Sequence, residues 1–360
     1  MKSLYRPLVF GALAVALLVV APTASATSGT LVITENTVLS EDHYGYIAIT
    51  ADNVTLDCAG HTVMAPGPPQ QSGAIEVFGG TGVTVKHCTV VGSPVNGIYA
   101  GGSSNSRYED NVLQGNANHG IHIDSASGNV VVGNTIRGNG ALGIVFTAMV
   151  DSEIRSNVVE DNVNWAGIAL FADSQRITVV GNTARRNAFG FLIESGSGSN
   201  TVTANTAQQN LLEGFALTGS TANVLTGNTA NNNGAEGILL IDADDNQLMG
   251  NVANRNGDHE SNVYAGIALV SGSSGNTLDG NTANGNADVG LVVESSDSNV
   301  LTRNTANANG RIGFDVRLGS SFNTLRGNTA RRNEVLDAVD DLTGTGNVWS
   351  NNSFGTTSGI

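Results

Sequence analysis

Short apolar stretches with a period of two follow one another along most of the chain, and turn residues separate them. Phe215-x-Leu217 and Val202-x-Ala204 are typical, and glycine and polar clusters interrupt every unit. Alternation of this kind indicates β-strands of about four residues with one buried face. No unit carries apolar residues at the i, i+3, i+4 spacing of an amphipathic helix. The pattern therefore predicts an all-β chain.

The strand-like units recur at an almost constant interval. Almost every unit contains an Asn followed by Thr or Val, a second Asn five residues later, and then a Gly with an apolar pair. The first Asn stands at Asn111, Asn134, Asn157, Asn182, Asn205, Asn228, Asn251, Asn281, Asn304, Asn328 and Asn351. The steps are 23, 23, 25, 23, 23, 23, 30, 23, 24 and 23 residues. About 23 residues per repeat without a helix predict one turn of a parallel β-solenoid.

We expect one domain of about 13 turns, stacked about 4.8 Å apart through backbone hydrogen bonds. The repeats should span 51–333, with an N-terminal cap at 27–50 and a C-terminal turn and cap at 334–360, because a solenoid needs covered ends. At the sharp corners the recurring Asn should point inward and bond both the backbone and the Asn of the next turn. These Asn residues are therefore expected to be structural.

The pattern GN-T-x-x-x-N-x-x-x-G-I/F-x-L resembles the right-handed parallel β-helix repeats of pectin-lyase-like proteins, and most closely those of the NosD-type periplasmic β-helix family. The resemblance covers about residues 50–352 and implies a single-stranded, right-handed parallel β-helix. Similar proteins include polysaccharide lyases, uronate epimerases, glycoside hydrolases, phage tailspikes and exported proteins without known activity, so the motif is weakly specific for function. The NosD type implies an association with copper-enzyme maturation.

The N-terminus has the pattern of a secretory signal peptide. A basic start precedes an apolar run at 8–21, and Ala24-Ser25-Ala26 offers a cleavage site, so residues 1–26 should be removed. The run is too short to span a bilayer, so we expect a secreted, periplasmic or cell-envelope protein without a membrane span. The remaining chain has 14 basic and 31 acidic residues, a net charge of −17. Nucleic acid is therefore an unsuitable partner, since its phosphates need a basic surface.

The two cysteines, Cys58 and Cys88, fall on adjacent turns when NVTLDC is aligned with GVTVKHC. In an exported protein this arrangement favours a disulfide that fixes the N-terminal turns. Two buried free thiols are one alternative. A soft-metal site that also uses His61 and His87 is another.

Chemistry on a β-helix should come from outward side chains that depart from the repeat, and HGIHID (119–124) is the first departure. His119 lies at a corner, His122 and Asp124 project from one strand, and Tyr99 lies one turn below His122. A His beside a carboxylate can transfer protons. His119, His122 and Asp124 together could also hold a divalent metal. Separate solvated polar residues are the structural alternative.

The second departure is the longest insertion (256–266), which causes the step of 30 residues, together with the same corner one and two turns earlier. Glu213 and Glu236 occupy the same corner on successive turns, about 5 Å apart along the stack, so that one carboxyl pKa could be raised. This spacing is also near that of a retaining glycosidase pair. The corners could equally be ordinary solvated ones.

The insertion itself, NGDHESNVYAG (256–266), would overhang these two carboxyls with His259, Glu260 and Tyr264, while Trp165 lies at the same corner further back. Together they could form a sugar-binding or catalytic lip, or a cation site. This region lies about six turns, roughly 30 Å, from the first departure, so the two cannot share one active site.

A third departure is DADDN, where Asp242, Asp244 and Asp245 crowd one corner. Oxygen-only ligands suit Ca²⁺, the one candidate cofactor, although a plain turn explains the residues equally well.

Apolar residues also occupy positions that should face water: Phe171, Leu192, Leu239, Ile241, Val270 and Val292. A contiguous apolar strip suggests a partner surface, covered by the terminal segments, by a protein partner or by another copy in a homo-oligomer.

From the sequence we expect an exported, non-catalytic β-helix that presents a long flank to a polysaccharide, a cell-surface glycan or a protein. A carbohydrate-active enzyme (polysaccharide lyase, epimerase or glycoside hydrolase) is the first alternative. An accessory protein of copper-enzyme maturation, implied by the NosD-type resemblance, is the second.

Overall fold

The computed structural model describes residues 26–67, 71–257 and 264–360. The described residues contain 41 short strands and no helix, as the period-two pattern predicts. Most strands have three residues because the repeat leaves only that length between its corners. The all-β prediction is therefore confirmed.

In chain order the first half of the strands are β1 (Ala26–Ser28), β2 (Leu31–Ile33), β3 (Thr37–Val38), β4 (Asp42–Tyr44), β5 (Ile47–Ile49), β6 (Thr55–Asp57), β7 (Thr62–Met64), β8 (Gly73–Phe78), β9 (Thr84–Lys86), β10 (Thr89–Val91), β11 (Asn96–Gly101), β12 (Arg107–Glu109), β13 (Val112–Gln114), β14 (Ile121–Asp124), β15 (Val130–Val132), β16 (Thr135–Arg137), β17 (Ile144–Thr147), β18 (Glu153–Arg155), β19 (Val158–Glu160) and β20 (Ala166–Phe171).

The second half are β21 (Thr178–Val180), β22 (Thr183–Arg185), β23 (Phe189–Glu194), β24 (Thr201–Thr203), β25 (Thr206–Gln208), β26 (Phe215–Thr218), β27 (Val224–Thr226), β28 (Thr229–Asn231), β29 (Ile238–Ile241), β30 (Gln247–Met249), β31 (Ala265–Val270), β32 (Thr277–Asp279), β33 (Val289–Glu294), β34 (Val300–Thr302), β35 (Ile312–Arg317), β36 (Thr324–Arg326), β37 (Thr329–Ala330), β38 (Leu336–Asp340), β39 (Val348–Ser350), β40 (Ser353–Phe354) and β41 (Thr357–Ser358).

The strands form three parallel sheets, each receiving one strand per turn. Sheet 1 runs from β1 to β28 with 10 strands, and isolated bridges continue it to the pair β37–β40. Sheet 2 has 15 strands, from β2 to β41, and sheet 3 has 14, from β3 to β39. Every pairing is parallel and joins equivalent positions of successive repeats, as in Ile121 with Ile144. The chain is thus a single-stranded right-handed parallel β-helix.

The solenoid has about 14 turns, one more than the repeat pattern predicts. Residues 27–50 and 334–360, expected as caps, themselves form strands of the first and last turns. The signal peptide expected at 1–26 lies outside the described residues except for Ala26, where β1 begins. Within the described ranges no helix is long and apolar enough to cross a membrane.

Inward side chains fill one continuous aliphatic core. The inward positions of sheet 2, such as Ile238 and Leu240, are fully buried, and the rings of Phe191 and Phe215 stack with centroids 4.5 Å apart. Because each inward residue meets its counterpart on the next turn, the core repeats with the sequence. Burial of one such aliphatic side chain stabilises the fold by about 1.5–3 kcal/mol.

The recurring Asn residues form buried ladders at the corners, as predicted. The Nδ2 of Asn228 donates to the Val202 carbonyl at 2.8 Å and to Asn251 Oδ1 at 3.0 Å, and its Oδ1 accepts from the backbone N–H of Asn205 at 2.9 Å. Equivalent bonds join Asn233 with its neighbours. The ladders therefore pair the backbone groups that the sheets leave free at each corner.

At the last rung of this ladder the structure corrects the repeat register. Asn328 bonds Asn352, at 2.8 Å from its backbone N–H and at 3.1 Å from its Nδ2, rather than the expected Asn351. Asn351 is exposed in a left-handed conformation, because the final turn is one residue longer than a 23-residue repeat.

Cys58 and Cys88 are joined by a disulfide bond between adjacent turns, with their Cα atoms 4.7 Å apart. The neighbouring histidines are engaged elsewhere: His87 Nδ1 lies 3.0 Å from Asp57 Oδ1, and His61 Nδ1 lies 3.5 Å from Asp42 Oδ1. The disulfide favoured by the sequence is therefore confirmed, and it leaves neither Cys58 nor Cys88 as a free thiol for a soft metal.

Candidate functional site

The outward side of sheet 2 carries Tyr99, His122, Asp124 and the apolar strip that were singled out from the sequence. Parallel pairing stacks these residues in columns about 4.8 Å apart per turn. The column that includes Tyr99 and His122 continues through Val145, Ala169 and Leu192. We call this surface the outer face.

Near its N-terminal end the outer face carries a group of titratable side chains, the polar cluster, formed by Glu76, Tyr99, His119, His122 and Asp124. They come from three neighbouring strands of sheet 2, β8, β11 and β14, and from the corner before β14. All are buried or half-buried. Their proximity follows directly from the register of the repeat.

The Tyr99 hydroxyl donates a 2.7 Å hydrogen bond to Asp124 Oδ2. That bond, together with burial and the charges of Asp124 and Glu76, raises the pKa of Tyr99 to about 12. The contact needs Gly101, because a Cβ at that position would lie 2.9 Å from the Tyr99 hydroxyl oxygen. Tyr99 is therefore held as a protonated donor.

Two histidines stand beside this pair. The ring of His122 meets those of Tyr99 and His119 edge-on, each with centroids 5.3 Å apart. Burial and the neighbouring His122 lower the pKa of His119 to about 4, and its Nδ1 accepts the Leu142 N–H at 3.1 Å. Burial also lowers the pKa of His122, outweighing the opposing effect of Asp124. Both imidazoles are thus neutral near pH 7.

The pairing expected between His122 and Asp124 is wrong in detail. The carboxylate of Asp124 accepts from Tyr99, while His122 Nε2 lies 3.3 Å from the Thr147 hydroxyl on the next turn. Tyr99 is long enough to reach Asp124 from the preceding turn, and it takes the carboxylate that His122 was expected to contact. Nor do His119, His122 and Asp124 form a metal site, since no group of metal-ligating side chains occurs among the described residues.

Glu76 is the member of the polar cluster that sequence reasoning missed. It pairs with Tyr99 in register, is only 6% exposed, and its Oε2 accepts the Ser72 N–H at 2.8 Å. Burial raises the pKa of its carboxyl. Extending the outward column one turn back, from NGIYAG to GAIEVF, would have found it.

The apolar strip is present on the outer face, but the expectation that it faces water is wrong. Leu192, Leu239 and Val292 are 3%, 9% and 4% exposed in the single chain. They pack in two separate clusters with apolar residues near the beginning of sheet 2 strands, such as Leu142 before β17 and Ile312 at the start of β35. Stacked neighbours only one turn apart cover one another, which the alternating pattern alone does not reveal.

Between the two apolar clusters lie Glu213 and Glu236, stacked on successive turns. Burial raises the pKa of Glu236 to about 7, with the charge of Glu213 contributing, and it also raises the pKa of Glu213. Glu213 Oε2 is buried without a hydrogen-bond partner among the described residues. Glu236 lies five turns, about 24 Å, from His122, so the two regions are separate, as expected.

The remaining predicted site residues do not converge. Trp165 and Tyr264 lie along the same edge of the outer face, four turns or about 19 Å apart, and Trp165 is 48% exposed. His259 and Glu260 lie outside the described residues.

The DADDN corner is not a ligand cage. Asp244 Oδ1 accepts the Ser274 N–H at 2.8 Å, and Asp242 and Asp245 are corner residues with positive φ. In the part of the chain that the structure describes, no three His, Cys, Asp or Glu side chains come together to hold Ca²⁺ or another metal.

Known proteins share this fold at low sequence identity. A profile of the family described as right handed beta helix region matches residues 24–183, 72–230 and 195–354. The A-module of mannuronan C-5 epimerase AlgE6 from Azotobacter vinelandii has 15% identity and a TM-score of 0.64, covering 94% of this chain and 92% of that one. The periplasmic alginate epimerase AlgG has 15% identity and a TM-score of 0.53, covering 88% and 77%.

A DFA-IIIase from Arthrobacter chlorophenolicus has 14% identity and a TM-score of 0.51, covering 78% of this chain and 84% of that one. No curated protein shows significant similarity to the chain. At these identities the likeness establishes the fold.

Proposed function

The chain belongs to the right-handed β-helix family, and from this premise we propose that it is an exported carbohydrate-active enzyme. A polysaccharide lies along the outer face, and the polar cluster transfers protons to and from one sugar unit. The observation that carries the proposal is the assembly of a neutral imidazole and a protonated tyrosine from successive turns.

His122 is the proposed general base. Its pKa is lowered, so the imidazole is neutral at pH 7 and can accept a proton from the sugar. Tyr99 is the proposed general acid, kept protonated by Asp124. Groups whose pKa values are displaced by burial and by defined neighbours are typical of catalytic sites.

Two features favour a glycan as the substrate. The outer face is long and continuous, so it can hold several sugar units, and its edge presents Trp165 and Leu212, which are 48% and 40% exposed. Aromatic and aliphatic side chains at such an edge offer flat surfaces for sugar rings. The three solved structures compared above include two epimerases that act on mannuronan or alginate, in agreement with this substrate class.

The test is a panel of polysaccharides assayed for unsaturated ends, reducing ends and changed sugar configuration. We expect His122→Gln and Tyr99→Phe to lower kcat by about 10²–10⁴ with little change in KM, since each removes one proton-transfer group. Activity should fall only below pH 6.5, because the pKa of His122 is lowered from that value. Glu334→Gln, at an exposed position, is the matched control.

Full activity in both variants would contradict the assignment. Binding of a polysaccharide without any turnover would instead support the second candidate, a non-catalytic protein that displays the same face to a glycan. The observation that favours this candidate is the half-buried state of the polar cluster, in which Tyr99 already bonds Asp124 and the two imidazole rings already contact each other.

A further inference from the structure

A depression of about 370 Å³ lies at the corner that follows sheet 1, away from the outer face. Four Asn side chains line it together with Arg255, Gly285 and Ala308. The turns that form the depression lie five or more turns beyond the turn of His122, so the depression and His122 are at least about 24 Å apart along the solenoid axis. Its volume is within the range of small-ligand sites.

The depression exists because one column of corner residues becomes small. The equivalent corner residues all have positive φ, and on successive turns they are Arg186, Gln209, Asn232, Arg255, Gly285, Ala308 and Arg332. Gly285 and Ala308 thus leave a gap where neighbouring turns carry long side chains. The Arg255 side chain lies along this gap, its Cγ 3.7 Å from the position that a Gly285 Cβ would take.

The wall of the depression is a second, outer Asn ladder. The Oδ1 of Asn231 accepts the backbone N–H of Asn254 at 2.8 Å. In the same way the Oδ1 of Asn254 accepts from Asn284, and the Oδ1 of Asn284 accepts from Asn307, each at 2.7 Å. The oxygens are therefore occupied, whereas no hydrogen bond from the amide nitrogens occurs among the described residues. The ladder ends at Asn307, whose Oδ1 is buried without a partner in the described chain.

Arg255 contributes the only charge in this wall. Eight of the thirteen described arginines pair with carboxylates, as Arg186 does with Asp161. Arg255 has no ion pair among the described residues, although the protein is strongly acidic. A guanidinium and amide donors without partners among the described residues offer a fork for one anionic group and neutral donors for the sugar around it.

We propose that this depression is a binding site for an acidic sugar unit, carrying a carboxylate or a sulfate ester. Arg255 binds the anionic group, and the amides of Asn231, Asn254 and Asn284 bind the hydroxyl groups. The ladder extends about 14 Å over three turn spacings, enough for two or three sugar units. The site is independent of the polar cluster, so it would hold an acidic glycan whether or not the proposed chemistry occurs.

The experiment is calorimetric titration of the full chain with three trisaccharides: one carboxylated, one O-sulfated and one neutral. We expect one or both acidic trisaccharides to bind and the neutral trisaccharide not to bind. The acidic trisaccharide that binds more tightly shows whether the site prefers a carboxylate or a sulfate ester. Arg255→Gln should weaken binding by about tenfold or more, since a charge-assisted bidentate contact is lost.

Ala308→Gln should abolish binding by filling the gap, and the fold should tolerate it because Gln209 occupies the equivalent corner with the same positive φ. Arg326→Gln is the control, because Arg326 is likewise unpaired among the described residues but lies on sheet 3. His122→Gln should bind the acidic sugar unchanged, which separates this site from the proposed catalysis.

Three results would overturn the proposal. One is the absence of binding of either acidic trisaccharide to the unsubstituted protein. Another is equal loss in Arg255→Gln and Arg326→Gln, which would show a general charge effect. The third is full binding by Ala308→Gln, which would place the ligand elsewhere.

Discussion

The stacked carboxyls Glu213 and Glu236 should make the stability of the protein fall as pH rises. Burial raises the pKa of Glu236 from its ordinary value of 4.5 to about 7. Between these values the folded chain binds more protons than the unfolded chain, so the free energy of unfolding decreases with increasing pH. The loss begins above about pH 4.5, the unfolded value, and is complete above about pH 7.

The size of this effect follows from the displacement of the pKa. Each pH unit of displacement corresponds to about 1.4 kcal/mol, so Glu236 lowers the free energy of unfolding by at most about 3 kcal/mol at pH 8 relative to pH 4. Partial exposure of the side chain reduces this limit. Glu236→Gln removes the ionisable group but keeps its shape, so the variant should be more stable than the parent at pH 8 and similar to it at pH 4.

Urea unfolding of both proteins at a series of pH values measures this difference. Glu334→Gln, at an exposed position, controls for the loss of one negative charge. A stability difference between Glu236→Gln and the parent that does not change from pH 4 to pH 8 would refute the reasoning. The same would hold if Glu334→Gln gave an equal gain.

Three further outcomes are expected. Asn228→Ala removes a rung of the buried ladder and leaves backbone groups unpaired, so urea unfolding should show a loss of about 3 kcal/mol or more. The control Asn118→Ala, at an exposed position without a positive φ, should cost less than about 0.5 kcal/mol, and equal losses would contradict the ladder's role. Reduction of the disulfide between Cys58 and Cys88 should lower stability by about 3 kcal/mol, and an unchanged urea midpoint would contradict this. Gly101→Ala should push the adjacent tyrosine hydroxyl away from its carboxylate, so spectrophotometric titration should show one tyrosine pKa falling from about 12 towards 10; an unchanged titration would contradict the packing.

In the polar cluster, the repeat register predicts which residues are neighbours but not which of them form hydrogen bonds. Because equivalent positions of successive repeats pair, the columns that join Tyr99 with His122 follow from counting residues. Which of these groups bond does not follow, because it depends on side-chain length and local space. Asp124 bonds Tyr99 rather than His122 because Gly101 leaves room for the phenol.

By itself the sequence determined the solenoid, its repeat of about 23 residues per turn and the Asn ladders, because each repeat makes the same contacts with the next and the repeat can be read directly from the sequence. The division of each turn into three strands came from the structure. Only the tertiary structure decided which of the residues that depart from the repeat are buried and where they leave a depression. Leu192 and Leu239 are buried because neighbours on other turns cover them. The depression beside Arg255 exists because Gly285 and Ala308 are smaller than the corner residues of adjacent turns. Both are properties of several turns together, and no single repeat contains them.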